Sequence, residues 1–201
     1  AIDCIRTTAA SHGRVFIVEV MGRKVGQLSL HAGIAGGADI ILLPEIPYDI
    51  DKVCKAIEKR NKNKKGFTIL AVAEGAIPKE RAKMSKKELK KFMETYKYPA
   101  VSYEIADELT KRLGSEVRVT VPGHTRRVGS PCPYDRVLST RLGAAAAKLI
   151  LNKEYGYMVG IKDGETVKVP LEEVAGKLKM VDPNAKIIKE AKLTGISFGD
   201  K

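Results

Sequence analysis

Short apolar runs alternate with amphipathic helical patterns along most of this chain. Four of the runs are rich in β-branched residues and end close to turn signals, at 14–20, 39–45, 67–74 and 116–123. Helical patterns accompany them, at 24–38, 49–61, 86–96 and 102–113. Strands that are apolar throughout and alternate with helices indicate a parallel sheet covered on both faces. The pattern therefore predicts an α/β fold of the Rossmann-like, three-layer type.

The pattern changes after residue 131. A longer helix is predicted over 133–152, and it is followed by two short strands that flank a glycine-containing turn. A short helix over 171–178 and a tail marked by proline and asparagine complete the chain. We find no internal repeat and no low-complexity segment.

Composition narrows the class of protein. The chain has 201 residues, of which 44% are hydrophobic and 30% charged, so it should bury a core of its own. No apolar run reaches the roughly 18 residues of a membrane span. Cys4, Cys54 and Cys132 are far apart and show no paired spacing, so we expect neither a disulfide scaffold nor a zinc site. A reducing, cytoplasmic environment fits this cysteine usage.

The formal net charge of +12 suggests a polyanionic partner, either a nucleic acid or phosphorylated small molecules. Much of the charge lies in two lysine-rich stretches, 55–66 and 78–91. These stretches are typical of solvated helix faces and loops, and no aromatic residues are interleaved with them for stacking on nucleic-acid bases.

Several charged residues follow the predicted strands directly. In parallel sheets, ligands bind beyond the carboxyl ends of the strands. The candidates at these ends are Arg23, Glu74, His124, Arg126 and Arg127. Arginine side chains bind phosphate with bidentate, charge-assisted hydrogen bonds. A single carboxylate among several cations suits a ligand that carries both a phosphate and hydroxyl groups.

Simpler interpretations of the same residues stay open at this point. His124 could be a core histidine whose hydrogen bonds are satisfied inside the protein. Gly22 could merely end the first strand, and Arg23 could be an ordinary surface charge. Glu74 follows a buried strand and needs a partner, which could be a ligand hydroxyl or a neighbouring arginine.

Three stretches resemble one known family. They are AIDCIRTTAASHGR (1–14), VEVMGRKVGQLSLHAGIAGGADIILLPE (18–45) and PGHTRRVGSPCPYDRVLSTRLG (122–143). In this order and spacing they resemble the C-terminal, fructose 6-phosphate-binding half of bacterial-type 6-phosphofructokinase, from Ala1 to about Leu151. The resemblance implies that the α/β fold is the substrate domain of this family, followed by a C-terminal extension.

The resemblance implies roles at one edge of the sheet. Met21, Gly22 and Arg23 match the family's loop over the sugar, and Arg23 also matches the arginine that stabilises the transferred phosphoryl group. Glu74 matches the carboxylate that accepts hydrogen bonds from sugar hydroxyls.

The resemblance also implies a shared phosphate site. His124 and Arg127 match the pair that holds the 6-phosphate of the sugar. Arg14 and Arg118 match two arginines that reach the 6-phosphate bound by a neighbouring subunit. Each substrate site would then be complete only in a homo-oligomer, a dimer or a tetramer.

The implied reaction is transfer of a phosphoryl group from ATP to the 1-hydroxyl of fructose 6-phosphate, giving fructose 1,6-bisphosphate in glycolysis. Such transfer uses Mg²⁺, cationic side chains and a base. In the family the base and the donor loop lie upstream of the matched region, so we expect this chain to hold no metal ligands of its own. We also expect it to be an inactive fragment, with a substrate domain over 1–131 and a segment over 132–201 that packs partly on the absent donor domain.

The chain departs from the family pattern in places. The family commonly has Gln-Arg-Gly-Gly where this chain has Arg-Arg-Val-Gly at 126–129, and the segment 75–100 is longer than in the short bacterial enzymes. The effector site of those enzymes maps to Arg6, Gly37, Asp39, Asn63 and Lys65. Asn63 stands in place of a basic residue and Asp39 in place of a glutamate, so we do not expect nucleotide regulation.

Three alternative functions follow from the same sequence. The long 75–100 segment resembles branches that include pyrophosphate-dependent enzymes, so pyrophosphate is the alternative donor. The net charge motivates a nucleic-acid-binding protein, whose affinity would fall steeply with salt, although the resemblance implies no nucleic-acid and no membrane partner. A non-catalytic regulatory subunit that keeps the sugar site is the third alternative.

Overall fold

Strands and helices alternate in the first part of the chain, as the apolar pattern predicts. We describe the protein from a computed structural model that covers residues 1–63 and 66–200. The strands are β1 (Val15–Val20), β2 (Ile40–Leu42), β3 (Thr68–Ala73), β4 (Val117–Thr120), β5 (Tyr157–Lys162) and β6 (Glu165–Pro170). The longer helices are α1 (Ile2–His12), α2 (Gln27–Ala35), α3 (Ile50–Lys62), α5 (Lys86–Glu94), α6 (Val101–Leu113), α7 (Pro133–Leu151) and α9 (Lys186–Leu193). Two single-turn helices, α4 (Lys79–Ala82) and α8 (Leu171–Val174), and a 3₁₀ helix over Gly123–Arg127 complete the elements.

The first four strands form one parallel sheet in the order β2-β3-β1-β4. The central pair, β1 and β3, is in register from Val15 opposite Thr68 to Val20 opposite Ala73. Both strands are buried along their whole length. This is the reason that their sequences are continuously apolar and do not alternate.

Helices cover both faces of this sheet, which confirms the predicted three-layer α/β fold. One face packs through Phe16, Val18, Ile41 and Ile69 against α1, α2 and α9. The other face packs against α3 and α6 through side chains of the three strands Val15–Val20, Ile40–Leu42 and Thr68–Ala73.

The tail of the chain is more ordered than its sequence indicated. The helix α9 buries Ile188 and Ala191 in the core, and Phe198 is 1% exposed. The chain then runs beside β2, where the Ile41 N–H donates to the Ser197 carbonyl over 2.8 Å. Only two of the eight residues of α9 are buried, so its apolar stripe is too short to stand out in the sequence.

The contacts divide the chain into two compact units, Ala1–Arg126 with Met180–Lys201, and Arg127–Lys179. The second unit contains α7, the antiparallel hairpin of β5 and β6, and α8. Residues 180–201, which we expected to belong with the later segment, lie in the first unit. That the later segment packs on a further domain stays a prediction.

A buried carboxyl group fastens α6 to the sheet. Glu19 of β1 is 6% exposed and Ser102 is fully buried. The Ser102 hydroxyl donates to Glu19 Oε2 over 2.6 Å, and the Ser102 backbone N–H donates to the same atom over 3.2 Å. Ser102 lies in the first turn of α6, where the free N–H groups and the helix dipole favour a carboxyl group.

We predict that Ser102→Ala lowers the free energy of unfolding by about 1–3 kcal/mol, because a buried carboxyl group then loses a hydrogen-bond donor. The shift of the urea unfolding midpoint of the intact protein measures this cost. Thr110→Ala, an exposed change on the same helix, is the control and should leave the midpoint nearly unchanged. Equal midpoints for the two variants would contradict the role of this contact.

Candidate functional site

The carboxyl ends of β1 and β3 lie side by side, because the two strands run parallel and pair over their full length. Met21, Gly22 and Arg23 follow β1, and Glu74 follows β3. The Glu74 backbone N–H donates to the Val20 carbonyl over 2.9 Å, so the pairing continues just beyond the strands. The structure therefore brings these predicted residues together at one edge of the sheet.

The Glu74 carboxylate holds the loop that follows β1. Its Oε1 atom accepts the backbone N–H of Gly22 over 3.0 Å and that of Arg23 over 2.5 Å. The sequence left a ligand hydroxyl or an arginine side chain as possible partners, and the structure shows two backbone amides in their place. In the part of the chain that the structure describes, Oε2 makes no hydrogen bond, and the side chain is exposed.

The loop backbone depends on two glycines. A Cβ atom on Gly22 would lie 2.5 Å from the Val25 carbonyl oxygen, and one on Gly75 would lie 1.9 Å from the Arg23 carbonyl oxygen. Gly22 therefore does more than end the strand. Arg23 itself has φ of 52°, a left-handed conformation that costs a non-glycine residue about 1–2 kcal/mol. The hydrogen bond to Glu74 offsets this strain and sets the direction in which the exposed Arg23 side chain leaves the backbone.

His124 follows β4 in the 3₁₀ helix Gly123–Arg127 and is exposed. The alternative that it is a core histidine is therefore wrong. Arg127 is also exposed, and it is the first residue of the second unit. Their action as a pair stays a prediction, and the Arg126 side chain lies outside the described part of the structure.

Arg14 and Arg118 lie away from this edge of the sheet. Arg14 comes directly before β1, so the strand separates it from Met21 by roughly 20 Å at about 3.3 Å per residue. Arg118 is the second residue of β4. Both guanidinium groups contact one carboxylate, that of Glu116, at 3.0 Å from Arg14 and 2.5 Å from Arg118. Glu116 thus holds two like charges together on the surface, which the sequence did not indicate.

The residues matched to the effector site take part in two separate groups of contacts. Arg6 donates to the Gly37 carbonyl over 2.9 Å. Asp39 pairs with Arg60 at 2.8 Å and accepts the Ile69 N–H over 2.8 Å. Asp39 and Asn63 border one cavity of about 490 Å³, whose lining includes three lysines of α3 and residues of the C-terminal segment. Lys65 lies outside the described residues.

A structural carboxylate at the end of β2 was missed by the sequence analysis. Glu45 Oε1 accepts the Gly26 N–H and the Val181 N–H, each over 2.9 Å. Glu45 thereby joins the start of α2 to the C-terminal segment that lies in the first unit. The start of α2 comes just after the Arg23 loop. A glutamate at the end of the apolar run 39–45 was the available signal, as Glu74 was at the end of the run 67–74.

The described residues bring together no group of three or more histidine, cysteine or acidic side chains that could hold a metal ion. Over residues 1–63 and 66–200 no helix is long and apolar enough to cross a membrane.

Comparison with known proteins identifies a family. The model of the phosphofructokinase family matches residues 1–150. An ATP-dependent 6-phosphofructokinase of Spirochaeta thermophila is 49% identical over 200 residues, which are 100% of this chain and 55% of that protein. An enzyme of the same name from Chloroflexus aurantiacus is 44% identical over 100% of this chain and 54% of its own length. The chain thus spans about half the length of the curated relatives it matches.

Solved structures give the same result. Phosphofructokinase from Saccharomyces cerevisiae superimposes with a TM-score of 0.67 and 34% identity, over 86% of this chain and 22% of that one. A pyrophosphate-dependent phosphofructokinase from Marinobacter aquaeolei gives a TM-score of 0.71 at 20% identity, over 98% of this chain and 50% of that one, which is a likeness of fold alone. The family match, the parallel sheet and the residues at its carboxyl edge agree, and the chain belongs to the phosphofructokinase family.

Proposed function

We propose that this chain is the fructose 6-phosphate-binding part of an ATP-dependent 6-phosphofructokinase. The reaction transfers a phosphoryl group from ATP to the 1-hydroxyl of fructose 6-phosphate and yields fructose 1,6-bisphosphate. The observation that carries the proposal is the 49% identity to an enzyme of that name over the whole chain. The arrangement of Arg23 and Glu74 at the carboxyl edge of the sheet supports it.

In this proposal the loop after β1 lies over the sugar. Glu74 Oε1 accepts hydrogen bonds from the backbone amides of Gly22 and Arg23, and Oε2 accepts a hydrogen bond from a sugar hydroxyl. Arg23 contacts the phosphoryl group during transfer, where negative charge is spread over the equatorial oxygens. Because the loop is held before substrate arrives, little reorganisation is needed to place this charge in the transition state.

The 6-phosphate is bound by His124 and Arg127 of one subunit and by Arg14 and Arg118 of its neighbour. The position of Arg14 before β1, at the end of the strand opposite to Arg23, supports a role in a different substrate site. The contact of both arginines with Glu116 supports the same role, because it keeps two guanidinium groups side by side. The active enzyme is then a homo-oligomer with shared sites, a dimer or a tetramer.

ATP and its Mg²⁺ are bound by a further part of the protein in this proposal. Mg²⁺ would supply charge neutralisation for the transferred phosphoryl group, and its protein ligands would lie mostly in that further part. The base that receives the proton of the 1-hydroxyl also lies outside this chain. What this chain supplies is the binding site for the sugar and its 6-phosphate, and one cationic side chain, Arg23, at the transferred phosphoryl group.

The segment after Cys132 packs on that further part. Side chains of the second unit support this, because Leu151 is 82% exposed, Tyr134 72% and Ile150 62%. Large apolar side chains at this exposure are typical of a surface that is covered in the assembled protein. We also propose that the enzyme acts in the cytoplasm, which the free thiols of Cys4, Cys54 and Cys132 support.

The donor is tested by a coupled assay of the intact protein with fructose 6-phosphate and Mg²⁺, with ATP and with pyrophosphate side by side. We expect turnover with ATP, as in the named relatives. Turnover with pyrophosphate and none with ATP would identify pyrophosphate as the donor. This is the alternative that the long 75–100 segment suggested. Silence with both donors, from a folded oligomer, would favour the regulatory-subunit alternative.

We predict that Arg127→Ala weakens fructose 6-phosphate binding by about 1.5–3 kcal/mol, because one charge-assisted hydrogen bond to the phosphate is lost. Calorimetric titration of the intact protein measures this change. Arg112→Ala is the matched control, since Arg112 pairs with Asp51 and Glu108 of the same unit and should leave the affinity unchanged. An unchanged affinity for Arg127→Ala would remove Arg127 from the site.

We predict that Arg23→Gln lowers kcat by roughly 100- to 1000-fold with a much smaller change in KM, because its charge acts mainly in the transition state. Steady-state kinetics of the intact protein separate the two effects. Lys24→Gln removes the neighbouring charge and serves as the control. A rise in KM at constant kcat would show that Arg23 stabilises the bound substrate and the transition state equally, which would contradict a role specific to the transition state.

A further inference from the structure

A second carboxyl group holds the loop that carries Arg23. This loop, residues 21–26, leads from β1 to α2, and Glu74 binds the amide of Arg23 near its upstream end. At its downstream end, the backbone N–H of Gly26 donates to both oxygens of Glu45, over 2.9 Å to Oε1 and 3.1 Å to Oε2. The loop is therefore held at both ends by carboxylates that lie beyond the neighbouring strands β2 and β3.

The contact between Gly26 and Glu45 is close. A Cβ atom on Gly26 would lie 2.7 Å from Glu45 Oε2 and 2.8 Å from Leu43 Cδ2, so a side chain at this position would displace the carboxylate. Gly26 is the N-cap residue of α2, and it has no side chain with which to cap the helix. The first turn of α2 also contains no acidic residue. Glu45 therefore supplies the negative charge that stabilises the start of this helix.

The same carboxylate reaches the C-terminal segment, residues 180–201. Glu45 Oε1 accepts the Val181 backbone N–H over 2.9 Å, and Val181 is 3% exposed. Beyond Val181 the segment packs in the core of the first unit through Ile188 and Phe198. The position of Glu45, and with it the downstream end of the loop, thus depends on a segment that follows the sugar-site residues by more than half of the chain.

The turn between the two anchors leaves the backbone little freedom. The Val25 N–H donates to the Gly22 carbonyl over 3.0 Å, and a Cβ atom on Gly22 would lie 2.5 Å from the Val25 carbonyl oxygen. Arg23 lies inside this turn in a left-handed conformation, with φ of 52°. A shift of Gly26 is therefore passed on to Arg23, because the closed turn between them has no slack to absorb it.

We propose that Glu45 is a positioning residue for Arg23, which acts through the loop and not on the substrate. The inference rests on the proposed function, in which Arg23 contacts the transferred phosphoryl group. A misplacement of about 1 Å at such a group can cost roughly 100-fold in rate. The C-terminal segment takes part in this positioning, because the Val181 amide holds the Glu45 carboxylate in place.

The test is steady-state kinetics of the intact protein with Glu45→Ala, which removes the acceptor of both amides. We expect kcat to fall by roughly 10- to 100-fold, with a change in KM below about threefold. Glu45→Gln keeps one acceptor oxygen and should lower kcat by only about 2- to 5-fold. Glu58→Ala, at an exposed glutamate of α3, is the matched control and should leave both constants unchanged.

A double variant separates positioning from a general loss of stability. If Glu45 acts through Arg23, Glu45→Ala combined with Arg23→Gln should have the kcat of Arg23→Gln alone. Effects that multiply would overturn the proposal, and so would an unchanged kcat or a rise in KM at constant kcat in Glu45→Ala. Glu45→Gln serves for the same comparison if Glu45→Ala does not fold.

Hydrogen exchange tests the link without the reaction. In Glu45→Ala the amides of Gly26 and Val181 lose their acceptor and should exchange faster. The exchange of the Arg23 amide, at the other end of the loop, should rise as well, and an unchanged rate there would overturn the proposal. Turnover of the unaltered protein tests the proposed function by itself, so failure of that function and failure of this inference give different results.

Discussion

The burial of a parallel sheet on both of its faces is the constraint on which the rest of this structure depends. β1 and β3 pair along their full length, and every residue of both strands is inside the protein. Such strands leave the core only at their ends, and parallel pairing places their carboxyl ends at the same edge. The side chains that can contact a ligand, Arg23 and Glu74, therefore lie just beyond the ends of β1 and β3. The side chains of the strands themselves pack in the core.

At that edge, the Glu74 carboxylate holds the loop that follows β1 through protein contacts alone. Glu74 accepts two backbone amides through one oxygen, and the glycines at 22 and 75 allow the backbones to approach closely enough. Arg23 is held in a left-handed conformation as a result. Buried or half-buried carboxyl groups do similar work elsewhere, since Glu19 anchors α6 and Glu45 joins α2 to the C-terminal segment. In each of these three cases an acidic side chain fixes the framework by accepting hydrogen bonds from backbone amides.

The two compact units have different surfaces. The first has a buried core on both sides of the sheet, while none of the residues 127–179 of the second is buried, and Leu151 and Tyr134 are largely exposed. This contrast agrees with a chain that spans about half of its relatives.

The amino-acid sequence by itself determined the α/β class, the positions of the four parallel strands and the residues that follow them, because apolar periodicity and strand-end chemistry are local properties. The resemblance in three sequence blocks also identified the family. Only the tertiary structure decided that Glu74 binds the backbone of Gly22 and Arg23, that Glu116 joins Arg14 to Arg118, and that α9 and Phe198 return to the core. These contacts join residues far apart in the chain, and their partners depend on which strands lie side by side. Periodicity does not contain that information, since it reports which face of an element is buried and not what covers it.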